Sequence, residues 1–470
     1  HMLCMQSERT FITMERENFS SRLGFILISA GCAIGLGNVW RFPFITGMYG
    51  GASFVLIYLF FLLILGLPIM VAEFSVGRAS CRSAALSFDV LEPKGTKWHL
   101  YKYGAIAGNY ILMMFYTTIA GWMVQYFIKM MTGEFEGKDT AAVAGVFSDM
   151  LAKPGTMTFF MIIVVVGCFA ICGMGLQNGV EKITKVMMLL LLALMLILAV
   201  RSVTLDGASE GLHFYLAPDF HKVVEYGLFD TIFAAMGQAF FSLSLGMGCL
   251  ITYSSYFGKD TNMQATAWQV TIINTLVAVL AGIMIFPAVF SFGITPSAGA
   301  ELVFITLPNV FGQLPLSGLW SCIFYILLAM AALTSTISLH EVATAYVLEE
   351  FHMTRKKAAL IVSLGVFFLG IFSSLSFGVM KGFTVGGLAF FDALDYLTAK
   401  IMLPLGGMLT CIFVGTRVDK KVLKAELTNE GTLKFRLFGA YVFFMKYVAP
   451  IAIGIVFLNE LGILKWITGK

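Results

Sequence analysis

The chain has 470 residues, 59% of them hydrophobic and 12% charged, with a net charge of +4 and a mean hydropathy of +0.87. Soluble domains carry about 25% charged residues, so this composition excludes an ordinary soluble domain and places most of the chain in lipid as an all-α membrane protein. The small, scattered net charge excludes a nucleic-acid footprint.

The first twenty residues hold Arg9, Glu15, Arg16 and Glu17 without an apolar core, so no cleavable leader is expected. A spanning helix needs about 20 apolar residues. The sequence predicts eleven, near 24–46, 52–77, 103–131, 157–175, 180–201, 227–256, 264–293, 315–348, 357–377, 386–415 and 437–467. One set of loops is basic, with Arg78, Arg82, Lys94, Lys97, Lys259, Arg355, Lys356, Lys357, Arg417, Lys420, Lys421, Lys424, Lys434 and Arg436. The opposite set holds Lys138, Lys153, Lys222 and Lys381. The positive-inside rule makes the basic loops cytoplasmic, the N-terminus internal and the C-terminus external, in an inner (plasma) membrane. The cysteines lack metal spacing and read as buried thiols.

The first and sixth spans share an oddity. Gly35-Leu36-Gly37 and Gly246-Met247-Gly248 each put two glycines near mid-span. Glycine costs about 1 kcal/mol in a helix interior. Freed backbone in hydrocarbon is tolerated only where it lines a cavity or holds an ion. Gly31 and Gly35 also fit a helix-packing motif, which leaves both readings open on the glycines alone. Two such spans five apart suit a five-plus-five inverted repeat with a mid-membrane site. The repeats are then 24–201 and 227–415, with 1–23 a cytoplasmic segment, 437–467 an added helix, and 1–470 one transport domain. Asn38, Gln238, Ser242, Asn274, Thr334, Ser335, Glu73, Glu341, Asp392 and Asp395 all fall inside apolar spans. Intramembrane polar groups of this kind mark a pathway, and a set rich in neutral oxygens suits a monovalent cation better than a divalent one.

The run Gly31 to Arg41, continuing Phe42-Pro43, resembles the first-helix signature of the neurotransmitter:sodium symporters; Gly50-Gly51, Tyr58, Pro68, Glu73, Gly77 and Arg78 extend it. The resemblance covers essentially all the predicted spans. It implies a leucine-transporter-like fold with discontinuous helices 1 and 6, and no enzymatic activity. It also implies sodium-coupled import of a hydrophobic or aromatic L-α-amino acid by alternating access, with a small-molecule substrate and the bilayer as partners and no obligate protein partner.

The site residues follow from the same resemblance. A first sodium ion would take the Ala33 carbonyl, Asn38, Ser242, Asn274 and the substrate carboxylate. A second would take the carbonyls of Gly31, Ile34 and Ala331 with Thr334 and Ser335. The substrate would lie among Ala33, Gly35, Leu36, Gly37, Tyr116, Phe241, Ser242, Ser244, Met247, Ser335 and Leu339. Gly35 replaces the aspartate of monoamine carriers and leaves room for an α-carboxylate. Arg41 with Asp395 resembles the external gate, and Arg16 with Glu349 the internal one, supported by Tyr256. Glu73 would cap the unwound sixth helix.

Two departures stand out. A chloride set of Tyr58, Gln238, Ser242 and Asn274 is present, but its fifth position is Ala278, neither the serine of chloride-dependent relatives nor the acid of chloride-independent ones. A chloride requirement therefore stays open. In the fifth span Gly179 lacks its usual proline ten residues on, where Leu189 stands. Proton coupling, suggested by His340 and Glu341, or a smaller substrate such as glycine or a compatible solute, is the rival within the fold. An amino-acid-gated channel or receptor is the rival outside it.

Overall fold

The computed structural model describes residues 18–135, 137–293, 302–312 and 316–463. Its membrane helices are α1 Arg22–Ala33, α2 Gly37–Met48, α3 Ala52–Ser80, α4 Trp98–Met131, α5 Pro154–Gly173 and α6 Leu176–Val203. They continue as α7 Leu228–Ser242 and α8 Cys249–Ser254, then α9 Met263–Ser291, α10 Ser317–Phe351, α11 Arg355–Leu375, α12 Phe390–Thr416 and α13 Phe438–Glu460.

Among the described residues nine helices are individually long and apolar enough to cross a membrane, and α1 with α2 makes a tenth span bent by 54°. The sequence predicts eleven. Over the predicted sixth span, 227–256, the described residues hold α7 and α8, of 15 and 6 residues on either side of a non-helical stretch, neither long enough alone to cross.

Proline shapes four of these helices in one way. A π-helical turn covers Gly37–Arg41, Leu62–Gly66, Tyr396–Met402 and Phe444–Val448. Each ends two residues before Pro43, Pro68, Pro404 or Pro450. Proline has no N–H and its ring clashes with the carbonyl four residues back. Widening the preceding turn relieves both problems without breaking the span.

The centre of the bundle is α1, α4 and α10. α10 runs along α4, packs on α1 and α6, and contacts α11. The outward faces of α6, α9 and α11 carry exposed Leu189, Val200, Ile272 and Phe368, as expected where the solvent is lipid. On one end of the bundle the short helices Leu302–Thr306 and Leu307–Gly312 fold inward. There Phe304 is fully buried, stacks on Phe147 at 4.8 Å and meets Trp40 edge-on at 5.9 Å. A two-residue hairpin, β1 Thr384–Val385 with β2 Leu388–Ala389, leads into α12. On the opposite end Arg78 is buried and bonds Glu426 at 2.5 Å and the Thr261 carbonyl at 2.5 Å, while Lys259 reaches Glu426 at 2.8 Å.

Candidate functional site

The site is built from the two interrupted spans. α1 ends at Ala33, after which Ile34 is extended. The break admits no side chain at Gly35, where a Cβ would collide with Ser335 Oγ and come within 3.0 Å of Tyr116 Oη. The Leu36 N–H, freed by the break, donates to Tyr116 Oη at 3.4 Å.

The second break covers 243–248. Ser244, Gly246 and Gly248 have φ of 53°, 81° and 79°, the left-handed region that glycine tolerates best. Ser244 lacks that freedom, and its hydroxyl donates to the Cys32 carbonyl at 3.0 Å, tying one break to the other. The Gly246 N–H donates to Glu73 Oε1 at 2.7 Å. Glu73 thus satisfies an amide that the lost helix leaves open.

Beside the breaks lies an oxygen-rich, buried cluster. Asn38 Nδ2 donates to Asn274 Oδ1 at 2.6 Å, and Asn274 Nδ2 donates to Ser242 Oγ at 2.8 Å and Tyr58 Oη at 3.3 Å. Tyr58 and Ser242 share a 2.7 Å bond between hydroxyls. Asn38 Oδ1 is buried without a hydrogen-bond partner, an acceptor suited to a cation. Gln238 is separate from this cluster: its Nε2 donates to the Gly37 carbonyl at 3.1 Å. Of the chloride set predicted from sequence, Tyr58, Ser242 and Asn274 are thus bonded to one another and Gln238 to none of them. Next to them Tyr215, from the short helix Ala208–Leu216, donates to the Ala278 carbonyl at 3.1 Å.

On α10, Thr334 Oγ1 donates to the Ala331 carbonyl at 3.1 Å. Gly31, on the C-terminal turn of α1, sits flush against Thr184 and Met188, with room for a Cβ only at 3.0 and 3.2 Å.

A cavity of about 30 Å³ joins these parts, lined by Ala33, Gly35, Gly37, Tyr116, Phe241, Ser244, Met247, Ser335 and Leu339. Leu36 lines a larger one of about 360 Å³ that shares Gly37, Tyr116, Phe241 and Met247 with it. Of the predicted substrate residues, Ser242 alone lines neither and belongs to the asparagine cluster instead. Leu112, Cys32 and Cys249 line the smaller cavity and were not predicted. Leu112 sits one turn before Tyr116 on the same helix face, a spacing that marks it.

The predicted gates differ from one another. Arg41 and Asp395 both line the larger cavity but form no ion pair; the Arg41 guanidinium lies over the Phe241 ring at 4.3 Å. Arg16 lies outside the described residues. Glu349 accepts hydrogen bonds from the Ser83 N–H at 2.9 and 3.2 Å. Tyr256 donates to Glu341 Oε1 at 2.8 Å, and Glu341 is paired with the Arg355 guanidinium, whose Nε donates to the Cys172 carbonyl at 2.8 Å. Arg355, one of the basic loop charges in the sequence, is thus a partly buried partner of Glu341. His340 bonds Ser363 at 2.7 Å.

Opposite the larger cavity the path is filled by rings. Phe19 lies 5.8 Å from Tyr256 and 6.3 Å from Tyr253, and Phe25 lies 4.7 Å from Phe257. Glu181 at the start of α6 holds this segment, accepting from the N–H groups of Ser20 and Ser21 at 2.8 and 3.2 Å and from their hydroxyls at 2.8 and 3.0 Å.

Comparison with known proteins gives concordant matches. The model of the Sodium:neurotransmitter symporter family matches residues 16–141 and 140–467. An uncharacterized sodium-dependent transporter of Bacillus subtilis is 35% identical over 448 residues, covering 95% of this chain and 98% of its own. One from Haemophilus influenzae is 36% identical over 459 residues, with coverages of 95% and 98%. The crystal structure of MhsT in complex with L-phenylalanine superposes with a TM-score of 0.84 at 40% identity, over 95% of this chain and 100% of that one.

Proposed function

The chain belongs to the Sodium:neurotransmitter symporter family, and on that premise we propose that it imports a hydrophobic or aromatic L-α-amino acid by sodium-coupled alternating access. It is a multi-pass membrane transporter, not an enzyme. In the proposed cycle the larger cavity faces outward and the aromatic plug around Phe19 faces the cytoplasm, which puts the N-terminus inside and the C-terminus outside across eleven spans. The two interrupted spans are the discontinuous helices 1 and 6 of an inverted repeat.

The observation that carries the amino-acid reading is the absence of a side chain at Gly35, where a Cβ would meet Ser335 Oγ and Tyr116 Oη. Any side chain there would crowd the Leu36 amide and the Tyr116 hydroxyl, the two donors a carboxylate would take on as it displaces their mutual hydrogen bond. An aspartate in that place would favour an amine instead. The substrate side chain then points to Phe241, Met247 and Leu339.

Sodium is a co-substrate in this reading. Asn38 Oδ1, a buried acceptor without a hydrogen-bond partner, supports a first sodium ion beside Ser242, Asn274, the Ala33 carbonyl and the substrate carboxylate. The oxygens of Gly31, Ile34, Ala331, Thr334 and Ser335 make the second. The electrical work is about 2.3 kcal/mol per charge per 100 mV. Two ions supply about 4.6 kcal/mol, and at about 1.4 kcal/mol per tenfold that sustains on the order of a thousandfold accumulation.

The test is uptake of labelled tryptophan and leucine into proteoliposomes with sodium, potassium or choline outside, with and without chloride. Accumulation only with a sodium gradient is the expected result. Uptake driven by a pH gradient alone would overturn sodium coupling, and the chloride arm decides what Ala278 means.

A further inference from the structure

A second cavity, of about 380 Å³, lies behind the central one. Leu112, Met247 and Leu339 line both, so one layer of apolar side chains separates them. Its wall is mostly apolar, with polar groups on Lys97, Trp98, Tyr101, Asn109 and Thr398. Thr398 bonds the Leu394 and Asp395 carbonyls, whereas Asn109 is 4% exposed and neither its Nδ2 nor its Oδ1 has a hydrogen-bond partner. A buried amide with both ends unsatisfied costs stability and in native proteins calls for an explanation.

The helix geometry supplies one. Asn109, Leu112 and Tyr116 stand at i, i+3 and i+7 on α4, so they share one face. Seven residues advance about 10 Å along the axis. Tyr116 sits at the proposed carboxylate position, and Asn109 lies two turns away in the cavity that Met247 and Leu339 also line. A tyrosine or tryptophan placed between them covers most of that length. One hydrogen bond of about 2.8 Å closes the remainder. Met247 stands between the cavities, and its three rotatable bonds let it turn aside more readily than a branched residue would.

We propose that the second cavity is the far end of the substrate site, taking an aromatic ring with an N–H or O–H at its tip, and that Asn109 is the specificity-determining residue. The inference rests on the amino-acid reading above. The phenol or indole hydrogen is donated to Asn109 Oδ1, and a phenol oxygen also accepts from Nδ2. Phenylalanine fills the same space and leaves the amide unpaired. A site built to bond a hydroxyl discriminates against the analogue that lacks it.

The test compares sodium-driven uptake of tyrosine, tryptophan and phenylalanine by the wild type, Asn109→Ala and Asn109→Leu in proteoliposomes. Tyrosine and phenylalanine differ by one oxygen, and their KM ratio is read within a single protein, so a general loss of active carrier cancels. The wild type is expected to favour tyrosine, and both variants to shift the ratio toward phenylalanine by about fivefold to tenfold. A ratio unchanged in both variants overturns the proposal, as does a wild type that carries phenylalanine and leucine but neither tyrosine nor tryptophan. A wild type that carries no amino acid on a sodium gradient overturns the parent reading, a distinguishable failure.

Discussion

Glu73, in the C-terminal half of the helix Ala52–Ser80, accepts a 2.7 Å hydrogen bond from the backbone N–H of Gly246 inside the break of the sixth span. A side chain from one helix thereby completes the backbone of another. Glu73→Ala leaves that amide without its acceptor, at a cost of about 1–3 kcal/mol. The expected outcome is a lower unfolding midpoint in detergent, with Glu73→Gln, which keeps an acceptor oxygen, falling between alanine and wild type. Equal midpoints for alanine and wild type would show that the break holds itself.

Gly35 is expected to tolerate nothing larger. A Cβ there collides with Ser335 Oγ, so Gly35→Ala should cut uptake by more than about tenfold, since each 1.4 kcal/mol of lost binding is a decade. Gly35→Asp should abolish binding of an amino-acid carboxylate by like-charge repulsion. Retained uptake in either variant, measured at matched protein levels, removes the argument for a carboxylate at this position.

The two oxygen sets predict separable effects on sodium. Asn38→Ala removes the unpartnered Oδ1 and breaks the 2.6 Å bond to Asn274. It should raise the sodium concentration for half-maximal substrate binding by about tenfold or more. Thr334→Ala should do likewise while leaving the asparagine cluster intact. Equilibrium binding of labelled substrate against sodium concentration reads both. Two ions give a Hill coefficient above one in the wild type, and a value of one there rules out two cooperative ions.

Glu341 is fully buried and its partner Arg355 partly so, their side chains 0% and 12% exposed. Removing one partner of such a pair strands the other, at about 3–5 kcal/mol. Glu341→Gln should therefore lower the unfolding midpoint sharply, and Glu341→Leu combined with Arg355→Met should recover much of the loss. A proton-coupled carrier relying on Glu341 would instead lose the pH dependence of its uptake in Glu341→Gln with little change in stability.

The helical membrane fold was legible because lipid forces long apolar runs, whereas the paired glycines alone suited either a break or a close helix contact. The count was harder. The break after Ser242 leaves α8 only 6 residues, and hydropathy alone does not show how far a broken helix unwinds. Gly35, Ser244 and Met247 near the breaks were named through the family resemblance, and Gly35 and Met247 sit within the glycine motifs themselves. Asn109, Leu112 and Tyr215 were missed because they reach this region through helix phase or from a short helix distant in sequence. The partners of Arg355 were hidden for a related reason. A basic residue at a span's end ordinarily signals orientation, and only tertiary packing brings its guanidinium to Glu341 and the Cys172 carbonyl.

The aromatic plug around Phe19 has an electrical consequence. In the proposed orientation, water in the larger cavity would carry the potential of the outer solution down toward Phe241, much as a wire would. The membrane field would then be concentrated across the aromatic layer of Phe19, Phe25, Tyr253, Tyr256 and Phe257 instead of being spread across the whole bilayer. In the proposed cycle a cation reaching the centre from that cavity would cross little of the voltage, and one leaving past the rings most of it. The potential would then act as a force on release, and the current transient of a turnover would belong to the inward step.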